Sequence, residues 1–106
     1  MSGGREKRKE QRVPVDVWIE VTRGGELYFQ RATNLSVGGA YFGQTIPLPV
    51  GSAVHLKFEL PGGKEVKCLG EIVTAKDLGM GVHFVELKEH DKKALQALID
   101  QQGSLD

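Results

Sequence analysis

Two short motifs hold the side chains in this 106-residue chain that are best suited to bind an anion. The first is Arg8-Lys9-Glu10-Gln11-Arg12, in which two arginines stand four residues apart. A guanidinium group can donate two parallel hydrogen bonds to a phosphate and can also stack on an aromatic base. The second is Asn34-Leu35-Ser36-Val37-Gly38-Gly39, which combines an amide, a hydroxyl and two glycines. Taken separately, the first motif is also typical of a solvated basic tail and the second of an ordinary turn.

Charge is unevenly distributed along the chain. Lys and Arg total 14 and Asp and Glu total 14, so the formal net charge is zero. Residues 1–12 nevertheless have a net charge of +3, residues 13–85 have −1 and residues 86–106 have −2. After Met1 the first segment has no apolar side chain that can join a core, so we predict that residues 1–12 form a flexible basic arm. All of the net positive charge therefore lies around the first motif.

The rest of the chain alternates apolar and polar residues in short runs, as expected of strands with one buried face. We predict six strands separated by turns, at residues 13–21, 27–33, 40–43, 54–60, 66–75 and 80–87. Gly70 within the fifth strand predicts a bulge. Apolar residues then recur at helical spacing from residue 89 or 90 to a natural stop at Gly103. Residues 13–102 are therefore expected to form one all-β domain with a C-terminal helix, either a small antiparallel barrel or a sandwich, and 103–106 a short tail.

Composition and motifs exclude several classes of function. Cys68 is the only cysteine, so no internal disulfide forms, and no Cys/His cluster predicts a metal site. No second ligand stands beside any of the three histidines at the spacing of a metal pair; they are His55, His83 and His90. Ser36 lacks the sequence context of a hydrolase nucleophile. We therefore expect that the protein is not an enzyme and has no cofactor. No run of residues is long and apolar enough to insert in a membrane, and the N-terminus lacks the apolar segment of a secretory signal. These features predict a cytoplasmic protein.

In this order, and within this all-β pattern, the two motifs resemble those of the PilZ domain, the bacterial receptor module for cyclic di-GMP. The resemblance extends from Arg8 to the helix that ends near Gln102. Three further matches are Arg12-Val13-Pro14-Val15 at the entry to the first strand, Tyr41-Phe42 after the glycines, and Gly79-Met80-Gly81-Val82-His83-Phe84. The turn at Gly51 is also similar. The resemblance implies a six-stranded antiparallel barrel with a C-terminal helix and a binding site on its outer face.

The resemblance also implies that Arg8, Arg12, Asn34, Ser36 and Gly39 bind cyclic di-GMP. This ligand has two phosphodiesters and two guanines, and arginine can contact either the phosphate oxygens or guanine O6 and N7. An asparagine amide and a serine hydroxyl can bond other polar atoms of the ligand, and glycine lets the backbone approach it closely. Additional candidates for binding are Lys7, Lys9 and Gly38.

Two positions bear on how the ligand would be held. Asn34 stands where many members of the family have Asp, which bears on geometry and affinity more than on binding itself. Lys7 precedes the arginine motif at a position that influences stoichiometry in the family. Because lysine provides charge without the fork of arginine, Lys7 favours one bound ligand over a stacked pair.

The function implied is that of a receptor without turnover. Binding would fold the arm across the ligand, and a free-standing module would pass the signal to a partner protein or through a change of oligomeric state. One alternative is a small nucleic-acid-binding barrel that uses the basic arm, although we expect no DNA partner. It requires exposed aromatic residues, for which the candidates are Trp18, Tyr28, Phe29, Tyr41 and Phe42. The other alternative is a ligand-free adaptor, which would not need to retain all five motif residues.

Replacing either motif arginine tests the implied role of the arm. We expect Arg8→Ala and Arg12→Ala each to abolish or severely weaken cyclic di-GMP binding, because each removes a charged donor without touching the predicted core. Isothermal calorimetry measures the affinity and circular dichroism verifies the fold. Retained affinity in both variants would contradict the assignment.

Overall fold

The computed structural model describes residues 12–103, which form six β-strands and one α-helix. The strands are β1 (Val13–Arg23), β2 (Glu26–Leu35), β3 (Gly39–Gly43), β4 (Ala53–Glu59), β5 (Glu65–Lys76) and β6 (Gly79–Glu86). The helix is α1 (Glu89–Gly103). Every strand lies within two residues of its expected bounds, because the alternation of apolar and polar residues is regular. The predicted arm up to residue 11 and the tail from 104 lie outside the described residues.

The six strands form a closed antiparallel barrel in the order β1-β2-β3-β6-β5-β4. Hairpins account for four of the pairings, and closure comes from β1 with β4 and β3 with β6. In the described part of the chain every strand therefore has a neighbour on both sides. The predicted all-β fold with one C-terminal helix is confirmed, and the strands form a barrel rather than a sandwich.

The core fills the barrel and extends to the helix. In β4 the buried residues Val54, Leu56 and Phe58 alternate with exposed neighbours, as the period of two predicts. Leu95 of α1 is fully buried and belongs to the same apolar cluster. Burying a side chain of this size contributes about 1.5–3 kcal/mol, so the helix is an integral part of the domain. Lys64, in the turn between β4 and β5, lies 3.7 Å from the buried Asp91, which fixes the start of α1 beside that turn.

Register shifts interrupt the ladders at four positions, one of which lies between Ile72 and Thr74 of β5. The predicted one occurs between Leu69 and Gly70, where a Cβ on Gly70 would lie 2.8 Å from Val82 Cγ1. Register shifts also occur between Pro14 and Val17 in β1, and in β2 just before Asn34. Because bulges turn a strand and redirect its side chains, these two shape the region where β1 begins and β2 ends.

Gly39, the first residue of β3, allows that strand to approach β6. It pairs with His83, and a Cβ on Gly39 would lie 2.1 Å from the carbonyl oxygen of Val82. The obstacle is backbone, which cannot rotate away as a side chain does. Gly39 is predicted to let the backbone approach a ligand, and the structure shows that its missing side chain also allows two strands to pack closely.

This packing predicts that Gly39→Ala destabilises the barrel itself. We expect a loss of about 1–3 kcal/mol in the free energy of unfolding, since the added methyl group forces the backbones of β3 and β6 apart. Urea denaturation measures the change. Gly43→Ala is the matched control at the other end of β3, where the nearest atom to a new Cβ is Thr33 Cγ2 at 3.6 Å, an ordinary contact. Equal stability of the two variants would contradict the packing argument.

Candidate functional site

Arg12, the last residue of the first motif, meets the second motif where β1 begins and β2 ends. Pro14 pairs with Asn34 in the register of β1 and β2, so the residue that leads into β1 lies beside the second motif. Arg12 Nη1 donates a hydrogen bond of 2.9 Å to Asn34 Oδ1, although the two residues are 22 positions apart. This bond uses one of the five N–H donors of the guanidinium group. It orients an exposed arginine and a half-buried asparagine toward each other.

Ser36 organises the loop between β2 and β3. Its Oγ accepts hydrogen bonds from the backbone N–H groups of Gly38, at 3.2 Å, and Gly39, at 3.1 Å. Its own backbone N–H donates to the Gly39 carbonyl at 2.8 Å. Only 1% of the Ser36 surface is exposed, so the hydroxyl is occupied within the loop. Ser36 is predicted to contact a ligand, and this geometry shows that it also fixes the loop between β2 and β3.

The motif loop, residues 34–39, is also bonded to β6. The N–H of Phe84 donates to the Gly38 carbonyl at 2.8 Å. Gly39 is buried and continues this attachment as the first residue of the β3–β6 ladder. The loop is therefore held by its own serine on one side and by a neighbouring strand on the other.

These residues surround a cavity of about 370 Å³ on the outside of the barrel. Its lining comprises Arg12, Asn34, Ser36, Gly38, Gly39, Tyr41, Val73, Thr74, Gly81, Val82 and His83. The structure thus brings together every predicted site residue that it describes. Arg8, Lys7 and Lys9 lie outside the described residues.

The cavity is suited to an anion because of what lines it. Arg12 supplies a permanent positive charge, and among the described lining residues there is no Asp or Glu. The remaining polar side chains include an amide, hydroxyls and an imidazole, which can donate hydrogen bonds to an oxyanion or to a base. The positive charge of Arg12 and the hydrogen-bond donors of the lining therefore both favour an anionic ligand.

Sequence reasoning missed the cavity residues outside the motif loop, which belong to β3, β5 and β6. Tyr41, Thr74 and His83 come from β3, β5 and β6, and the pairing of Tyr41 with Gly81 brings them together. The Tyr41 side chain lies over β6, where a Cβ on Gly79 would collide with its hydroxyl at 1.9 Å. The Gly79-Met80-Gly81 pattern was the available signal, since alternate glycines leave a flat strip on a strand against which an aromatic ring can lie.

Other chemistry finds little support in the described residues. Burial, reinforced by the nearby Asp91 carboxylate, raises the pKa of the Cys68 thiol to about 11, so the thiol is protonated at neutral pH and is a poor nucleophile. Within residues 12–103 no group of three or more His, Cys, Asp or Glu side chains is placed to hold a metal ion. In the same range, no helix has the length and apolar character that crossing a bilayer requires.

The aromatic residues that a nucleic-acid interface would need are only partly available. Trp18 and Phe29 are exposed, each at 61%, whereas Phe42 is buried. The cross-strand partner of Trp18 is Arg31, which forms an ion pair with Asp16 at 2.7 Å, and that of Phe29 is the acidic Glu20. Neither exposed ring therefore has a free cation as its partner across β1 and β2, as binding along a phosphate backbone would require.

Comparisons with known proteins agree with this architecture. The family model of the PilZ domain matches residues 6–101. No curated protein sequence gives a significant match. Among solved structures, the inhibitor of motility MotI/DgrA of Bacillus subtilis superposes with a TM-score of 0.84 at 14% identity, covering 93% of this chain and 52% of that chain. This chain thus spans about half the length of MotI.

Two further structures share the fold. The PilZ domain of CeSA from a cellulose-synthesizing bacterium has a TM-score of 0.67 at 20% identity, covering 86% of this chain and 96% of that chain. PlzA of Borreliella burgdorferi, solved in complex with c-di-GMP, has a TM-score of 0.66 at 15% identity, covering 90% of this chain and 42% of that chain. The family match covers most of the chain, and Arg12 and the second motif line one cavity of a six-stranded barrel. The chain belongs to the PilZ domain family.

Proposed function

We propose that this protein is a cyclic di-GMP receptor and that the cavity between Arg12 and the motif loop is its binding site. The observation that carries the proposal is the hydrogen bond from Arg12 to Asn34, which joins the two motifs at the edge of a cavity with no acidic lining residue. The family supports the choice of ligand, and so does the presence of c-di-GMP in the structure of PlzA.

The proposed contacts follow from the groups that remain free at the cavity. Arg12 keeps four N–H donors for phosphate oxygens or for guanine O6 and N7. The amide nitrogen of Asn34 can donate to the ligand, and its oxygen has a second lone pair beside the one that Arg12 occupies. Ser36 and Gly39 hold the loop in place, and Gly38 offers a backbone that the ligand can approach.

We also propose a part for residues 1–12, the basic arm. The arm has a net charge of +3 and leads directly to a cavity that is suited to an anion. Arg8 lies four residues before Arg12 in the sequence. In this proposal the arm folds over the ligand, Arg8 contacts the ligand, and Lys7 and Lys9 lie nearby. Ordering of a basic segment by a bound anion produces a new surface that a partner protein or a second copy can recognise.

In this proposal the protein is a cytoplasmic receptor with no catalytic turnover, and residues 13–102 form the folded domain. The adaptor alternative predicts that the motif loop binds no ligand. The nucleic-acid alternative predicts salt-dependent binding of generic single strands. A direct titration separates all three.

Calorimetric titration of the purified protein with cyclic di-GMP is that test. We expect saturable binding of one ligand per chain, because Lys7 provides no second guanine fork. GTP and cyclic GMP, which offer guanine without the paired phosphodiesters, serve as controls and should bind far more weakly. Absence of heat with cyclic di-GMP, together with a mobility shift of single-stranded DNA, would overturn the proposal.

A conservative change at Arg12 tests how the ligand is recognised. Arg12→Lys keeps the positive charge and removes the fork and the bond geometry to Asn34, so we expect affinity for cyclic di-GMP to fall about tenfold or more. Arg31→Lys is the matched control, since Arg31 is an exposed arginine whose partner is Asp16 and which lies outside the cavity lining. If both variants bind as tightly as the unmodified protein, Arg12 contributes charge alone.

A further inference from the structure

A second and larger concavity, of about 1060 Å³, lies on the other side of the motif loop. We call it the lysine groove after Lys57, Lys67, Lys88 and Lys92, which line it. It runs over the outer faces of β4 and β5 to the segment that joins β6 to α1. None of the residues used for the ligand site contributes to it except Gly38.

The groove is rich in positively charged side chains, whereas the net charge of residues 13–106 is negative. Its four lysines face two acidic lining residues, Glu20 and Glu86. Lys57 lies 3.7 Å from Glu65 Oε2 and 4.0 Å from Glu20 Oε2, so these two carboxylates neutralise most of its charge. Among the described residues, the other three lysines form no ion pair. Residues 13–106 together have a negative net charge, so the positive charge of this surface is local.

Apolar side chains line the groove together with the lysines. Val85 is 49% exposed, and Leu69 and Leu87 are half-buried at the groove surface. Partly exposed aliphatic side chains within a charged rim are the arrangement found at protein interfaces, where the centre is apolar and the rim is polar. The open shape suits an extended segment of chain better than an enclosed small molecule.

We propose that the lysine groove is the docking surface for an acidic segment of a partner protein, one that also has at least one large aliphatic side chain. Carboxylates of the segment would pair with Lys67, Lys88 and Lys92, and its aliphatic side chain would pack between Leu69 and Val85. A nucleic acid fits this surface less well. The groove has two carboxylates, no arginine, and a single aromatic residue, Phe84, that is buried and cannot stack on a base.

The position of the motif loop gives the groove a means of regulation. Val37 lines the groove, and Gly38 lines both the groove and the ligand cavity. The Gly38 carbonyl accepts from the N–H of Phe84, another groove residue. A ligand that shifts this loop therefore changes the wall of the groove, and by linkage an occupied groove changes ligand affinity by the same factor. This coupling, unlike the docking surface, rests on the proposed function.

The test uses the full chain and a defined probe, a fluorescein-labelled peptide of alternating Glu, Asp and Leu residues. We expect the peptide to bind, measured by fluorescence anisotropy, and to shift the amide signals of Val37, Leu69 and Val85 in ¹⁵N–¹H spectra. Lys67→Glu and Lys92→Glu should each weaken it about tenfold, since each replaces an attractive charge pair by a repulsive one. Lys76→Glu and Lys93→Glu are matched controls on β5 and α1, outside the groove lining, and should leave affinity within about twofold.

Several results would overturn the docking surface. They are failure of the peptide to bind, signal shifts confined to another face, equal weakening by the control variants, and stronger binding of single-stranded oligodeoxythymidine than of the peptide. The last result would assign the groove to nucleic acid. An otherwise identical peptide with Lys in place of Glu and Asp should not bind.

Repeating the titration with saturating cyclic di-GMP tests the coupling separately. We expect peptide affinity to change about fivefold or more, within the usual range of coupling between sites. If cyclic di-GMP binds and peptide affinity is unchanged, the coupling is wrong and the receptor function stands. If cyclic di-GMP does not bind while the peptide does, the proposed function is wrong and the docking surface stands.

Discussion

The barrel closes through the contact between β3 and β6, and the motif loop depends on that closure. Gly39 starts β3 with no room for a methyl group in front of the Val82 carbonyl. The bond from Phe84 N–H to the Gly38 carbonyl then continues the attachment one residue beyond the ladder. Since β3 has only five residues, the loop in front of it could not keep its position without this close approach. Site geometry and barrel closure therefore have a common origin.

This dependence divides the second motif into two kinds of residue. Ser36 and Gly39 are buried and act on the backbone, the first by accepting two loop N–H groups and the second by admitting β6. Asn34 is partly exposed and acts through its side chain, which is oriented by Arg12. A motif defined by spacing alone thus contains residues that fix the backbone and a residue whose polar side chain is partly exposed at the cavity.

Sequence predicted the strands well because their physics is local. Alternation in β1 and β4 and the glycine turns between strands depend on near neighbours only. Closure was not decided by the same signals, because β1 with β4 and β3 with β6 are pairings between distant segments. The residue-level pattern was equally compatible with a sandwich.

The same limit applied to the site. Arg12 and Asn34 were identified because their types and order match a family motif, and the structure adds that they touch. Thr74 and His83 could not be identified, since only the register of β5, β6 and β3 places them in the cavity. The reason for Gly39 was also inaccessible, because a glycine in a turn-like sequence gives no indication of which backbone lies in front of it.

Closure of the barrel also restricts how this domain can evolve new interactions. In the described part of the chain each strand has a neighbour on both sides over at least part of its length, so main-chain pairing with an incoming polypeptide is confined to overhanging stretches such as residues 26–31 of β2. Elsewhere recognition depends on the side chains of the convex surface. Residues at such surface positions can be substituted without disturbing the core, so the same fold can acquire different binding partners while its interior stays the same.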